Sequence, residues 1–363
     1  MNRNHVEMIA TCLLVLSFTF GCSHLGVKPV SSNADRILVI GQDNDSINAY
    51  VAAMGADGTP SGVSAYVDME LNGLTADTFN GSGINNIARL AKTYPSAALV
   101  VAVKAQNQLD QIILGHWDAN IDKLFKTLLS YKRQIFLRFG YEFDGPWNQY
   151  EPDKYIASWK HLFRRLEALE GHGRIAMVWH SSSQCHHGGI RSFNGHPLNA
   201  WYPGDEFVDF VAISYFTPGG FTDRQVQGGT CIIPNEAIDK VAQFARLHGK
   251  ALMIAEAAPQ GYSIKDLSWR HRYGGALNPQ VSVSVTEIIN WYDRYFDWVN
   301  TNKVKVLTYI NTDWNSQAMY TFPATTDYWG SSRIQDNVTI KAMWLERLVS
   351  ENLIARPSQT NNN

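Results

Sequence analysis

The 363 residues carry 31 Lys and Arg against 33 Asp and Glu, a formal net charge of −2. That balance supplies no basic surface for nucleic acid, which is not expected as a partner. A chain 45% apolar and 18% charged is an ordinary globular composition with ample core.

The N-terminus reads as an export signal: Arg3, an apolar stretch from Met8 to Phe20, then Gly21-Cys22. The stretch is too short for a comfortable membrane span. The small residue before Cys22 predicts a lipoprotein processing site. Residues 1–21 would be removed, Cys22 lipidated, and residues 22–35 left as a tether. The expected location is the outer membrane or cell surface, held by that lipid alone, with plain secretion as the alternative. Cys12 leaves with the signal, so Cys185 and Cys231 remain as a pair in an oxidising compartment, and a disulfide between them is expected.

From Asp35 onward apolar strands alternate with helical patterns. Strand candidates are 36–42, 63–70, 97–104, 134–140, 174–180, 207–216, 250–256 and 304–310. Most are near-continuous Val, Ile, Leu and Ala runs, as parallel strands covered on both faces require. Helical periodicity covers 83–93, 118–131, 153–170, 235–247, 285–300 and 335–352. In the third of these, Ile156, Trp159, Phe163 and Leu166 form the apolar stripe. The alternation predicts an α/β fold, a single (β/α)8 TIM barrel over 36–353, with 354–363 a disordered tail. Residues 43–62 and 71–82 are rich in Gly, Asn and Asp and show little clear helix.

In such barrels functional groups sit at the C-terminal ends of strands. Those ends carry Gln42 and Asp43, Asp68 and Glu70, Lys104, Arg138 and Glu142, Trp179 and His180, Tyr215, Glu256, and Asn311, Asp313 and Trp314. Glu142 and Glu256 end the fourth and seventh strands, so both can face one central pocket. Two carboxylates across a pocket suit glycoside hydrolysis, in which one protonates the leaving oxygen and the other attacks or activates water. Asp144 beside Gly145 reads as a turn-former. His180, His186 and His187 with Cys185 fit no standard zinc spacing, and neither metal nor cofactor is expected.

The stretch Arg138-Phe-Gly-Tyr-Glu142-Phe-Asp-Gly145 resembles the Arg-x-x-His-Glu-Met-Asn-Gly segment of glycoside hydrolase family 26, the β-mannanases and relatives of clan A. Val39-Ile-Gly-Gln42-Asp43, Val208 to Tyr215, Met253-Ile-Ala-Glu256, Tyr309 to Trp314 and Trp329 to Arg333 resemble further segments of that family. The resemblance implies Glu142 as acid/base and Glu256 as nucleophile of a retaining endo-glycosidase, acting as a monomer on a β-linked polysaccharide. β-1,4-Mannan is the first expectation. Tyr141 stands where family 26 usually has His, so β-1,3-xylan or another clan A glycan is the alternative; a non-catalytic glycan-binding barrel is a third reading. Arg138, Tyr141, Trp147, Trp179, His180, Tyr215, Trp314 and Gln42 are the expected substrate-binding residues. Tyr215 is expected to donate to the Glu256 carboxylate, and Trp314 to be a sugar platform.

Overall fold

A computed structural model describes residues 36–79, 82–183, 194–216, 234–270, 278–325 and 327–353. Cys22, Cys185 and Cys231 lie outside them. The eight barrel strands are β1 (Ile37–Gly41), β2 (Gly62–Asp68), β3 (Ala98–Lys104), β4 (Ile135–Phe139), β5 (Ile175–Ser181), β6 (Phe210–Tyr215), β7 (Ala251–Ala257) and β8 (Val306–Ile310). Each pairs in parallel with its sequence neighbours, and β1 pairs with β8 to close the ring.

Alternation along the strands sorts their side chains. Val39, Val100, Phe136, Val178, Ala212, Met253 and Val306 point inward and fill the lower barrel. Their neighbours Leu38, Val101, Leu137, Trp179, Ile213 and Ile254 belong to the outer layer under the helices. Both faces are therefore dry, which is why the strands read as continuous apolar runs.

The covering helices are α1 (Asn44–Met54), α2 (Ile87–Thr93), α3 (Asp118–Ser130), α4 (Pro152–Ala168), α5 (Pro234–Leu247), α6 (Val285–Thr301) and α7 (Val338–Ser350). Helix α1 falls in a stretch where little helix was expected. Its start is dense in Asn, Asp and Ser, which favour caps and turns, and Asp43 uses that chemistry by accepting from the Asp45 and Ser46 amides. Its buried stripe is Ile47, Tyr50 and Met54. The described part of the β5–β6 connection holds only two 3-10 turns, Leu198–Trp201 and Asp205–Phe207, in place of a long helix. No helix among the described residues is long and apolar enough to cross a membrane.

Two connections build the rim above the barrel. After β2, Thr78–Phe79 pairs antiparallel with Ile84–Asn85. After β7, Tyr262–Ser263, Ser268–Trp269 and Val281–Ser282 form a three-stranded antiparallel sheet. The loop after β8 is docked on that sheet at Gly330, whose φ is +83° and whose added Cβ would meet the Tyr262 carbonyl oxygen at 2.0 Å. Only glycine tolerates both. Gly249 also has a positive φ, +62°, but open space around it. Gly249→Ala should therefore cost only the left-handed penalty, about 1 kcal/mol. Gly330→Ala should cost at least twice that in urea unfolding, and equal losses would show that the Gly330 turn yields freely.

Candidate active site

Arg138 is the last inward-facing residue of β4 and is wholly buried. The chain then turns through two left-handed residues, Gly140 at φ +53° and Glu142 at +51°. For a glutamate this conformation costs on the order of 1 kcal/mol or more, so the surroundings must enforce it. The Phe143 amide donates to the His180 carbonyl at 3.1 Å and the Gly145 amide to the Glu142 carbonyl at 2.8 Å. The Asn148 amide group donates to the carbonyls of Tyr141 at 3.0 Å and Glu142 at 2.9 Å. Asp144 is fully buried and accepts from the Ser181 hydroxyl at 2.7 Å and the Ser182 amide at 2.6 Å. It is a staple to β5, beyond the turn-forming role read from its neighbour Gly145.

Glu256 reaches the same space through a bulge. Met253 and Ala255 face inward on β7, so strict alternation would aim residue 256 outward. The register slips between Ile213 and Ser214, where Ser214 pairs with Glu256 and leaves Ala255 as the extra residue. That insertion turns the carboxylate into the barrel mouth. Glu256 Oε1 accepts from the Arg138 guanidinium in a buried ion pair and from the Tyr66 hydroxyl at 2.9 Å. Burial, then the nearby Glu256 charge, pushes the Tyr66 pKa well above its ordinary value, so it remains a donor.

Glu142 has no cation of its own. Its Oε1 accepts from the Ser214 hydroxyl at 2.7 Å. Burial, and after it the charge of Glu256, pushes its pKa up to about 8. One carboxyl is thus protonated at neutral pH beside another bonded to a guanidinium, an unequal pair of the kind that two-carboxylate hydrolysis uses.

Both groups line a cavity of about 560 Å³ at the C-terminal mouth, within the range of ligand sites. Gln42, Tyr141, Trp147 and Trp314 are among the residues that line it. Gln42 is 4% exposed and its Nε2 has no hydrogen-bond acceptor among the described residues, leaving a donor for a ligand hydroxyl. Trp314 forms one wall with Trp329 and Tyr320, at ring separations of 6.1 and 6.3 Å. Among the described residues no group of three or more His, Cys, Asp and Glu side chains could hold a metal ion.

Four expected contacts are corrected. Arg138 and His180 lie beneath the cavity and act on carboxylates and their partners, not on its contents. Trp179 faces outward, stacked on Phe143 at 4.4 Å and donating to the Trp201 carbonyl. Tyr215 also faces outward, its hydroxyl donating to the Arg294 carbonyl at 3.1 Å. The reason is parity: a strand-end position alone does not set facing, and alternation puts Trp179 and Tyr215 on the helix side. The donor to Glu256 is Tyr66 and the partner of Glu142 is Ser214. Both were legible in the alternation Gly62, Ser64, Tyr66, Asp68 and Phe210, Ala212, Ser214.

A closed parallel barrel with a carboxylate pair over an aromatic-walled cleft defines the class, a (β/α)8 barrel with its candidate site at the C-terminal mouth. No protein-family model matches the chain. It is 38% identical over 315 residues to a β-1,3-xylanase of a Vibrio species, covering 86% of this chain and 64% of that protein. It is 36% identical over 329 residues to a β-1,3-xylanase of an Alcaligenes species, covering 90% and 66%. The chain therefore spans slightly less than two thirds of these curated relatives. The family 26 β-mannanase of Bacteroides ovatus superposes with a TM-score of 0.52 at 12% identity, covering 90% of this chain and 94% of that one. A double mutant of the Cellulomonas fimi endo-β-1,4-mannanase gives 0.53 at 15%, covering 85% and 70%. The resemblance to family 26 read in the sequence thus holds at the level of the fold.

The Glu142 carboxyl should be visible by infrared difference titration as a protonated band that disappears as pH rises through about 8. In Glu256→Gln the second-largest cause of the rise is gone, so the midpoint should fall. An unchanged midpoint would show that the two carboxyls do not interact.

Proposed function

We propose that this protein is a retaining endo-β-1,3-xylanase. The observation that carries the reading is the pairing of a protonated Glu142 with an arginine- and tyrosine-bonded Glu256 at one cavity. Glu256 attacks the anomeric carbon as the glycosidic C–O bond breaks, and Glu142 gives its proton to the departing oxygen. The charge on Glu256 is lost in the glycosyl ester, which removes the repulsion that, after burial, raises the Glu142 pKa and so lets Glu142 act as a base. Glu142 then takes a proton from water, which attacks the anomeric carbon and releases Glu256.

The choice of glycan rests on the two β-1,3-xylanase relatives, which favour β-1,3-xylan over the β-1,4-mannan first expected. Tyr141 supports it physically. Its ring meets Tyr66 edge-on at 5.3 Å against the cavity, and a xylose ring carries no hydroxymethyl group that would compete for that space. A cleft lined by Trp147 on one side and Trp314 and Trp329 on the other suits internal cleavage of a chain. The signal and Gly21-Cys22 support action outside the cell, at a surface reached by polymer.

Reducing ends should be released from β-1,3-xylan and far less from β-1,4-mannan, with proton NMR showing a β-anomeric first product. Oligosaccharide binding without release would mean a binding barrel. Glu256→Ala should be inactive on every substrate. Glu142→Ala should retain cleavage of aryl glycosides with good leaving groups, with azide then replacing water. Equal loss on both substrate types would reverse or void these roles.

A further inference from the structure

We propose that Ser214 and His180 are positioning residues that dictate which oxygen of Glu142 carries the transferable proton. The inference rests on the glycosidase reading and concerns a buried chain of hydrogen bonds that begins at Arg138. Its Nη2 reaches both the Glu256 carboxylate and His180 Nδ1, the latter at 3.1 Å. His180 Nε2 lies 3.0 Å from the Ser214 hydroxyl, which in turn lies 2.7 Å from Glu142 Oε1. Arg138 and His180 are 0% exposed and Ser214 is 2% exposed, so bulk solvent does not reach the chain.

A guanidinium only donates, so Nδ1 of His180 accepts. Burial, then the Arg138 charge, drives the His180 pKa well below its ordinary value, and the ring is neutral with its one hydrogen on Nε2. That hydrogen faces the Ser214 hydroxyl oxygen, with the Ile213 backbone as a second partner of the ring, and the Ser214 hydrogen has Glu142 Oε1 as its acceptor. Each bond is directed by the one before it, back to a group that cannot reverse. Oε1 is thus held as an acceptor, and the acid's hydrogen sits on Oε2. The other groups facing Glu142 are Glu256 on β7 and Asp144 on its own loop, which raise its pKa, and Arg138, which lowers it. Tyr66 and Tyr141 are neutral there.

The test is Ser214→Ala with Ser214→Thr as the rescuing variant, on aryl β-1,3-xylobiosides of differing leaving group. General acid catalysis contributes roughly 10²–10⁴ in rate. Ser214→Ala should therefore lose roughly 10- to 100-fold in kcat/KM on a phenyl glycoside. It should lose about twofold or less on a dinitrophenyl glycoside, which needs no proton. The Ser214 bond lowers the Glu142 pKa, so its removal should move the alkaline limb upward from pH about 8. Ser214→Thr should restore both properties. Equal losses on both glycosides, or a limb that stays or moves down as water enters, would overturn the proposal. Infrared titration of Glu142 in the same variants needs no turnover. An upward midpoint in a protein inactive on every β-glycan would uphold the directed chain and sink the glycosidase reading instead.

Discussion

A guanidinium enclosed on all sides by the barrel is the constraint on which the site depends. Arg138 cannot shed its proton and is shut off from bulk solvent, so a carboxylate must meet it. Glu256 does, and removing either partner of such a pair typically costs about 3–5 kcal/mol because the other is stranded. The rings of Tyr66 and Tyr141, 5.9 and 5.4 Å from the guanidinium carbon, cover its remaining surface. The barrel is thus apolar up to Phe136, Val178 and Ala212 and becomes a bonded polar layer one inward residue higher, at Arg138, His180 and Ser214.

That layer makes two chemically identical side chains unequal. Glu256 receives a cation and a phenol; Glu142 receives one serine hydroxyl and a neighbouring negative charge. Burial raises the Glu142 pKa with no cation bonded to it to compensate. The loop after β4 is held by Asn148 and Asp144 against a strained backbone because the uncompensated group must still point into the cavity.

The loops around the mouth divide the remaining tasks. The sheet after β7 and the Gly330 turn hold the Trp314–Trp329 wall, while Trp147 stands across the opening, tied by its carbonyl to Gln106 at 2.7 Å. These surfaces are set by connections between strands, where related barrels vary most. The fold superposes on mannanases at 12–15% identity, while the relatives of higher identity are named for a different glycan.

The sequence by itself determined the alternation of eight apolar runs with amphipathic stretches, and with it the closed barrel, because burial on both faces leaves an unmistakable composition. It also determined that Arg138, Glu142 and Glu256 stand at strand ends, where each apolar run breaks off into charged residues. Helix α1 stayed hidden because its Asn, Asp and Ser residues serve a cap as readily as a loop. Facing was decided by the tertiary structure. Trp179 and Tyr215 sit one residue from inward positions and so point at helices. Glu256 would do the same but for a single extra residue at Ala255. A one-residue slip exchanges inside for outside, and nothing local in β7 announces it; only the pairing of that strand with β6 does.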